Sequence, residues 1–160
     1  MGHCNMRLII FDRIGSMLPM QYDYFVASRY RNKPEVLRLV HGLQEKGKIV
    51  YSFIESDVSQ KHVGTVDGDT EEQMRQYEKR EHWQNDPAIK EIFETDMQAL
   101  RNSMTLILLL PAGKSAHLEA GVAYGMSKKC ILIGEQKETE SLYLIFSESY
   151  PTIDVFLSSI

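Results

Sequence analysis

The chain is poor in cysteine and tryptophan and has no surplus of positive charge, and each shortage excludes something. Two cysteines, Cys4 and Cys130, stand among 160 residues. They share no motif spacing, so neither a disulfide framework nor a zinc site is suggested, and a reducing cytoplasm is the compartment that fits. Lysine and arginine number 18 against 22 for aspartate and glutamate, a net charge of −4. With no basic stripe in the sequence, binding to a nucleic-acid polymer is disfavoured. No apolar run approaches the length of a bilayer span, which argues against a membrane partner. Internal repeats and low-complexity tracts are lacking too. What is present is ordinary for a globular domain, with 43% hydrophobic and 25% charged residues and enough chain for one full core.

Residues 1–19 read as an N-terminal extension of unknown role. They lack the charged-then-apolar layout and the cleavage site of a signal peptide. Arg7–Asp12 is readable as a short extra strand, and Met20 as an alternative start. Residues 20–160 read as a single domain. Tyr22–Ser28 is the first core strand. A helix follows over Lys33–Lys46, with Val36, Leu37, Leu39, Val40 and Leu43 at helical spacing and Gly47 as its C-cap. Ile49–Ile54 is a second strand, β-branched and aromatic. Glu55–Asp86 is polar, with a charged block at Glu71–Glu81, and is expected to hold a loop and a solvated helix, either as a lid or as a decorative insertion. Asp86 and Pro87 are the N-cap and first residue of a helix whose expected buried stripe is Ile89, Ile92, Phe93, Met97 and Leu100. Met104–Leu110 and Lys129–Gly134 are further strands, Leu142–Phe146 is strand or helix, and Ile153–Ile160 is a terminal helix capped by Thr152. Strands alternating with helices predict an α/β three-layer sandwich with a central parallel sheet, flavodoxin-like or Rossmann-like.

The most informative stretch is Pro111-Ala-Gly-Lys-Ser-Ala-His-Leu-Glu-Ala-Gly-Val-Ala-Tyr-Gly125. A strand, a Gly turn and a small-residue helix present a ligand site at the strand's carboxyl end. Gly113 allows a tight turn, and the N–H groups beyond it can bind an anion or a hydroxyl. Ser115 and Glu119 are four apart and share a helix face. Ala116, Ala120, Gly121, Ala123 and Gly125 are expected to let the helix lie close on the sheet. Glu119 is expected to be held ionised by the helix N-terminus, as suits a nucleophile. Arg29, Arg31 and Lys114 fall at two strand ends that should face one crevice, where arginine forks suit a phosphate. His82-Trp83 offers either a base-stacking lid or a plug that anchors the insertion. His117 reads as a brace of the turn, since its spacing from Glu119 makes no metal pair, and no other cluster has metal-ligand spacing. No metal and no cofactor are expected.

The segment Ala-Gly-Lys-Ser-Ala-His-Leu-Glu-Ala-Gly-Val-Ala resembles the signature of the nucleoside 2-deoxyribosyltransferase-like superfamily. Phe25-Val-Ala-Ser28 and Glu94-Thr-Asp-Met-Gln-Ala-Leu100 resemble its first strand and its site-facing helix, so the likeness spans about Tyr22 to Leu157. The resemblance implies that Glu119 attacks the anomeric carbon. It implies that Asp96 assists the leaving base or holds sugar hydroxyls, and that Ser115 with the backbone after Gly113 binds a 5′-hydroxyl or phosphate. Tyr24 would orient the nucleophile and Ser28 admit the sugar, unless Tyr24 is a core residue. It implies a small-molecule nucleoside or nucleotide as partner, and a homo-oligomer. Val155, Phe156, Leu157 and Ile160 suit an interface or the core equally.

Two departures bear on the reaction. No Asn follows Asn102, whereas some transferases of the superfamily place an Asn near the C-terminus into a neighbour's site. The first-strand turn reads Ala27-Ser28-Arg29 in place of a Gly-Pro pair, which is closer to the nucleoside 5′-monophosphate N-glycosidases. The expected function is cleavage of an N-glycosidic bond of a (deoxy)nucleoside or nucleotide, with transfer to a base or to water. The competing expectations are a non-catalytic nucleotide-binding module and a nicotinamide-dinucleotide glycohydrolase.

Overall fold

The structure is a computed structural model that describes residues 9–11, 17–19 and 21–160. Strands β1 (Ile9–Phe11) and β2 (Met17–Pro19) pair antiparallel as a two-stranded ribbon. The expected extra strand at Arg7–Asp12 is thus present over Ile9–Phe11, while Arg7, Leu8, Asp12 and Met20 lie outside the described residues.

The main sheet is built from β3 (Tyr22–Ala27), β4 (Val50–Ser52), β5 (Ser103–Leu109), β6 (Lys129–Ile133) and β7 (Glu148–Tyr150). Their order is β4-β3-β5-β6-β7 and every pairing is parallel. Side chains alternate across it as strand geometry requires. Val26, Ile107 and Ile131 face helices α1 (Lys33–Glu45) and α6 (Ile153–Ser159), where Leu39, Leu43 and Phe156 are fully buried. Phe25, Leu106, Leu108 and Leu132 face α4 (Pro87–Arg101) and α5 (Lys114–Gly125). The result is the expected three-layer sandwich. Chain order reverses between β3 and β5, and at such a switch point the carboxyl ends of the strands splay apart to leave a crevice.

Local signals set the helix ends. Asp86 accepts from the Ala88 N–H at 2.8 Å, and Pro87 takes the first helical position. The Thr152 hydroxyl accepts from the Val155 N–H at 3.2 Å. Gly47, at φ +75°, closes α1 with N–H bonds from Gly47 to Gln44 and from Lys48 to Leu43. The same motif ends α5 after Gly125, with Ser127 at φ 58° in the glycine position.

Other expectations are corrected. Phe93 is 61% exposed, so the α4 stripe against the sheet is carried by Met97 and Leu100, as expected, together with Ala99. Gly121 and Gly125 lie on the outer side of α5, where an added Cβ would meet nothing within 4 Å. The close approach to the sheet comes from Ala116, Ala120 and Ala123 alone. Residues 141–145 form a 3₁₀ turn, and the short β7 follows it. Among the described residues no helix is long and apolar enough to cross a membrane.

The insertion is more ordered than its polarity predicts. It forms α2 (Asp57–His62) and α3 (Thr70–Glu78). A single turn after β3 fastens it. The Tyr30 hydroxyl donates to Gln73 Oε1 at 3.0 Å, and Lys33, only 5% exposed, donates to the carbonyls of Val66 and Gly68 at 3.0 Å each and to Gln73 Oε1 at 3.2 Å. A Cβ at Gly64 or Gly68 would run into the Gln73 side chain, which explains both glycines.

Candidate active site

The crevice at the switch point has a volume of about 430 Å³. Of the residues singled out in the sequence, Ser28, Arg29, Asp96, Gly113, Ser115 and Glu119 all line it. Three separate segments of chain, the turn after β3, helix α4 and the turn into α5, therefore converge as the strand–turn–helix reading requires.

The turn after β5 carries its own order. Gly113 is the N-cap of α5 with no side-chain cap of its own, so the first N–H groups of the helix are left without carbonyl partners. A Cβ at Gly113 would lie 3.5 Å from that of Arg29, which places the β3 and β5 turns in contact. Ser28, 7% exposed, locks them. Its Oγ donates to the Leu109 carbonyl at 2.8 Å and accepts from Asn32 Nδ2 at 3.1 Å. His117 braces the turn as expected, donating from Nδ1 to the Gly113 carbonyl at 2.7 Å while Nε2 accepts from the Tyr143 hydroxyl at 2.8 Å. Arg29 and Lys114 make no ion pair or side-chain hydrogen bond among the described residues, so two cations line the crevice beside a helix N-terminus. Arg31 lines the crevice too, as expected, but is paired. Its guanidinium is held by Glu71 at 3.0 Å and by Glu78 at 2.7 Å, and so it ties α3 to the β3 turn.

The two carboxylates are the electrostatic centre. Burial pushes Glu119 up to about 8, and the neighbouring charge of Asp96 adds to the rise. Burial likewise raises Asp96 to about 6, against a hydrogen bond from the Tyr51 hydroxyl at 2.6 Å that favours its ionised form. The expectation that the helix N-terminus keeps Glu119 ionised is therefore corrected. Glu119 lies in the second turn of α5, past the reach of the terminal N–H groups, and has a second acid for a neighbour. Between the two titrations the pair holds one proton.

Two expected residues lie elsewhere. Tyr24 points to the opposite face of the sheet, edge-on to Phe156 at 6.1 Å between ring centroids. The tyrosine that orients a carboxylate is instead Tyr51, which stacks on Phe25 at 5.1 Å and reaches Asp96. Trp83 is 56% exposed and does not line the crevice, so it is neither a plug nor a lid over it. The Arg80–Asp86 ion pair at 3.0 Å and the Arg80 bond to the His62 carbonyl at 2.6 Å hold that turn against α2. The aromatic residues at the crevice are Tyr30, Phe53 and, from α3, Tyr77. Sequence reasoning missed Tyr51, Asn32 and Tyr77. Strand alternation could have placed Tyr51 beside Phe25; nothing local marks the other two.

No family model matches the chain, and no curated protein does. Among solved structures 7 chains match. One is the CMP N-glycosidase BcmB of Clostridium botulinum, with a TM-score of 0.52 and 18% identity over 85% of this chain and 94% of that one. At that identity the likeness is one of fold, and this chain has the α/β three-layer fold of that N-glycosidase.

Proposed function

We propose that the chain is a nucleoside 2-deoxyribosyltransferase-like enzyme that cleaves the N-glycosidic bond of a nucleotide. The observation that carries this reading is the Glu119–Asp96 pair in one crevice with Arg29 and Lys114, cations that have no partner among the described residues. The fold shared with a CMP N-glycosidase supports it.

The chemistry follows from the pair. The Glu119 carboxylate attacks the anomeric carbon as the bond to the base breaks, giving a glycosyl ester. The single proton of the pair, moved to Asp96, passes to the departing base. Water or a second base then attacks the same carbon and frees Glu119. Arg29, Lys114, the Ser115 hydroxyl and the first N–H groups of α5 hold the 5′-phosphate, which favours a nucleotide over a nucleoside. Tyr51 keeps Asp96 oriented.

Chromatography of bases released from nucleosides, 5′-monophosphates and the nicotinamide dinucleotide tests the reading, with Glu119→Ala as control. Release that disappears in the variant supports it, and dependence on an acceptor base separates transfer from hydrolysis. A folded protein that binds nucleotides but releases no base would favour the binding module, and free nicotinamide would favour the dinucleotide glycohydrolase.

Self-association belongs to the same reading. Phe156 is fully buried and Leu157 packs on the core, so the C-terminal helix is mostly spent within the chain. The outer face of α5 is the better interface, with Leu118 71% and Tyr124 56% exposed. Leu118→Glu is expected to lower the mass seen by light scattering to that of one chain.

A further inference from the structure

The crevice has two unlike ends. The sheet order sets the end of β5, with Gly113 and Lys114, on one side of β3 and the end of β4 on the other. These ends are two strand spacings apart, about 10 Å. Beyond β4 the wall is apolar, made by Phe53, Val63, Met74, Tyr77 and Ile92. Two polar residues interrupt it, Glu78, which Arg31 holds, and Ser59. Ser59, on α2, is 5% exposed and lines the crevice. Its hydroxyl has no hydrogen-bond partner among the described residues, yet no side-chain oxygen there is both sealed from solvent space and unpaired. The hydroxyl therefore opens on the crevice.

We propose that Ser59 is the residue that selects the nucleobase, its Oγ bonding the polar edge of a base laid on the Met74–Tyr77 wall. This rests on the N-glycosidase reading above, since that reading puts the phosphate at the Gly113 end and leaves the base at this one. The wall is preformed. Gln73, one residue before Met74 and four before Tyr77, is fixed by Tyr30 and Lys33, and Glu78 is fixed by Arg31. An apolar wall accepts any flat base. The Ser59 hydroxyl in it discriminates, because a base that offers it no partner leaves a desolvated polar group unpaired.

The test compares wild type with Ser59→Ala on the 5′-monophosphates of cytidine, uridine, adenosine and guanosine, reading kcat/KM for base release and Kd by calorimetry. Ribose 5-phosphate, which has no base, is the control probe. Ser59→Ala is expected to cut kcat/KM for the preferred nucleotide about tenfold and to narrow the spread among bases. Its affinity for ribose 5-phosphate is expected to stay within about twofold, since the phosphate end is untouched. Ser59→Cys, close in size but a weak hydrogen-bonding group, gives the same readout if the alanine variant fails to fold. An unchanged base preference, or an equal loss for ribose 5-phosphate, overturns the proposal. Should wild type bind nucleotides without releasing base, the catalytic reading falls alone and the Kd comparison still decides Ser59. If it binds none of them, both fall.

Discussion

At the scale of single residues, the proposed reaction turns on where one proton sits. Glu119 and Asp96 are both raised by burial, to about 8 and about 6, and the Asp96 charge pushes Glu119 the higher of the two. A pair carrying two protons has no nucleophile, and a pair carrying none has no acid for the leaving base. The rate of base release is therefore expected to be bell-shaped in pH, with limbs near these two values, measured as log kcat/KM against pH. Tyr51 sharpens the test. Its hydrogen bond favours the ionised Asp96, so Tyr51→Phe raises that group further, and the acid limb should move to higher pH while the alkaline limb stays near its place. An acid limb that does not move would mean that Asp96 is not the group it reports. The two residues could be named from the sequence, but their proton affinities and the Tyr51 contact could not. The motif marks Glu119 as chemically special, but its proton affinity depends on burial and on a carboxylate 23 positions earlier, and both are products of tertiary packing.

At the scale of elements, caps, turns and the buried stripe of α1 were legible, and the faces of β3, β4 and α4 were not. Asp86–Pro87, Gly47 and Thr152 act within a few residues of themselves, so their chemistry identifies them directly. Tyr24 and Tyr51 both stand in apolar strand runs, and only pairing and handedness decide which of them faces α4 and α5. Phe93 fits the helical period of α4 yet projects outward. The polar insertion looked solvated because the buried cation that orders it, Lys33, belongs to a different element. Two measurements belong here. Ser127, at φ 58°, occupies a position that glycine takes without strain, so Ser127→Gly should raise stability by about 1 kcal/mol in urea unfolding. Lys33→Met would strand the carbonyls of Val66 and Gly68, and should weaken the hold on α3 by about 2 kcal/mol. Faster amide exchange across residues 64–78 would report it, with little change in α1, whose packing on the sheet is independent of that ammonium group.

For the whole molecule the same site sets a pH limit. In the unfolded chain Glu119 loses its proton near the ordinary carboxylate value, while the folded chain keeps it up to about 8. Across that window the native state binds more protons than the unfolded state, so stability falls as pH rises. Glu119→Gln removes the titration, and its stability advantage over wild type should grow between pH 5 and pH 9, to on the order of 3 kcal/mol. Equal pH dependence of Tm in the two proteins would contradict this burial. The strand–helix order and the crevice at the switch point were legible because alternating apolar runs dictate them, whereas the fastening of α3 was not. That fastening has a consequence for how such a protein can change. The wall proposed to face a ligand's variable part is a cassette between β4 and α4, clipped to the frame through Tyr30, Arg31 and Lys33. The groups that would break the bond are rooted in α4 and α5. A cassette of different sequence that keeps Gln73 and the two glycines beneath it could be exchanged while the bond-breaking pair stays in place, so new selectivities are reachable without rebuilding the catalyst.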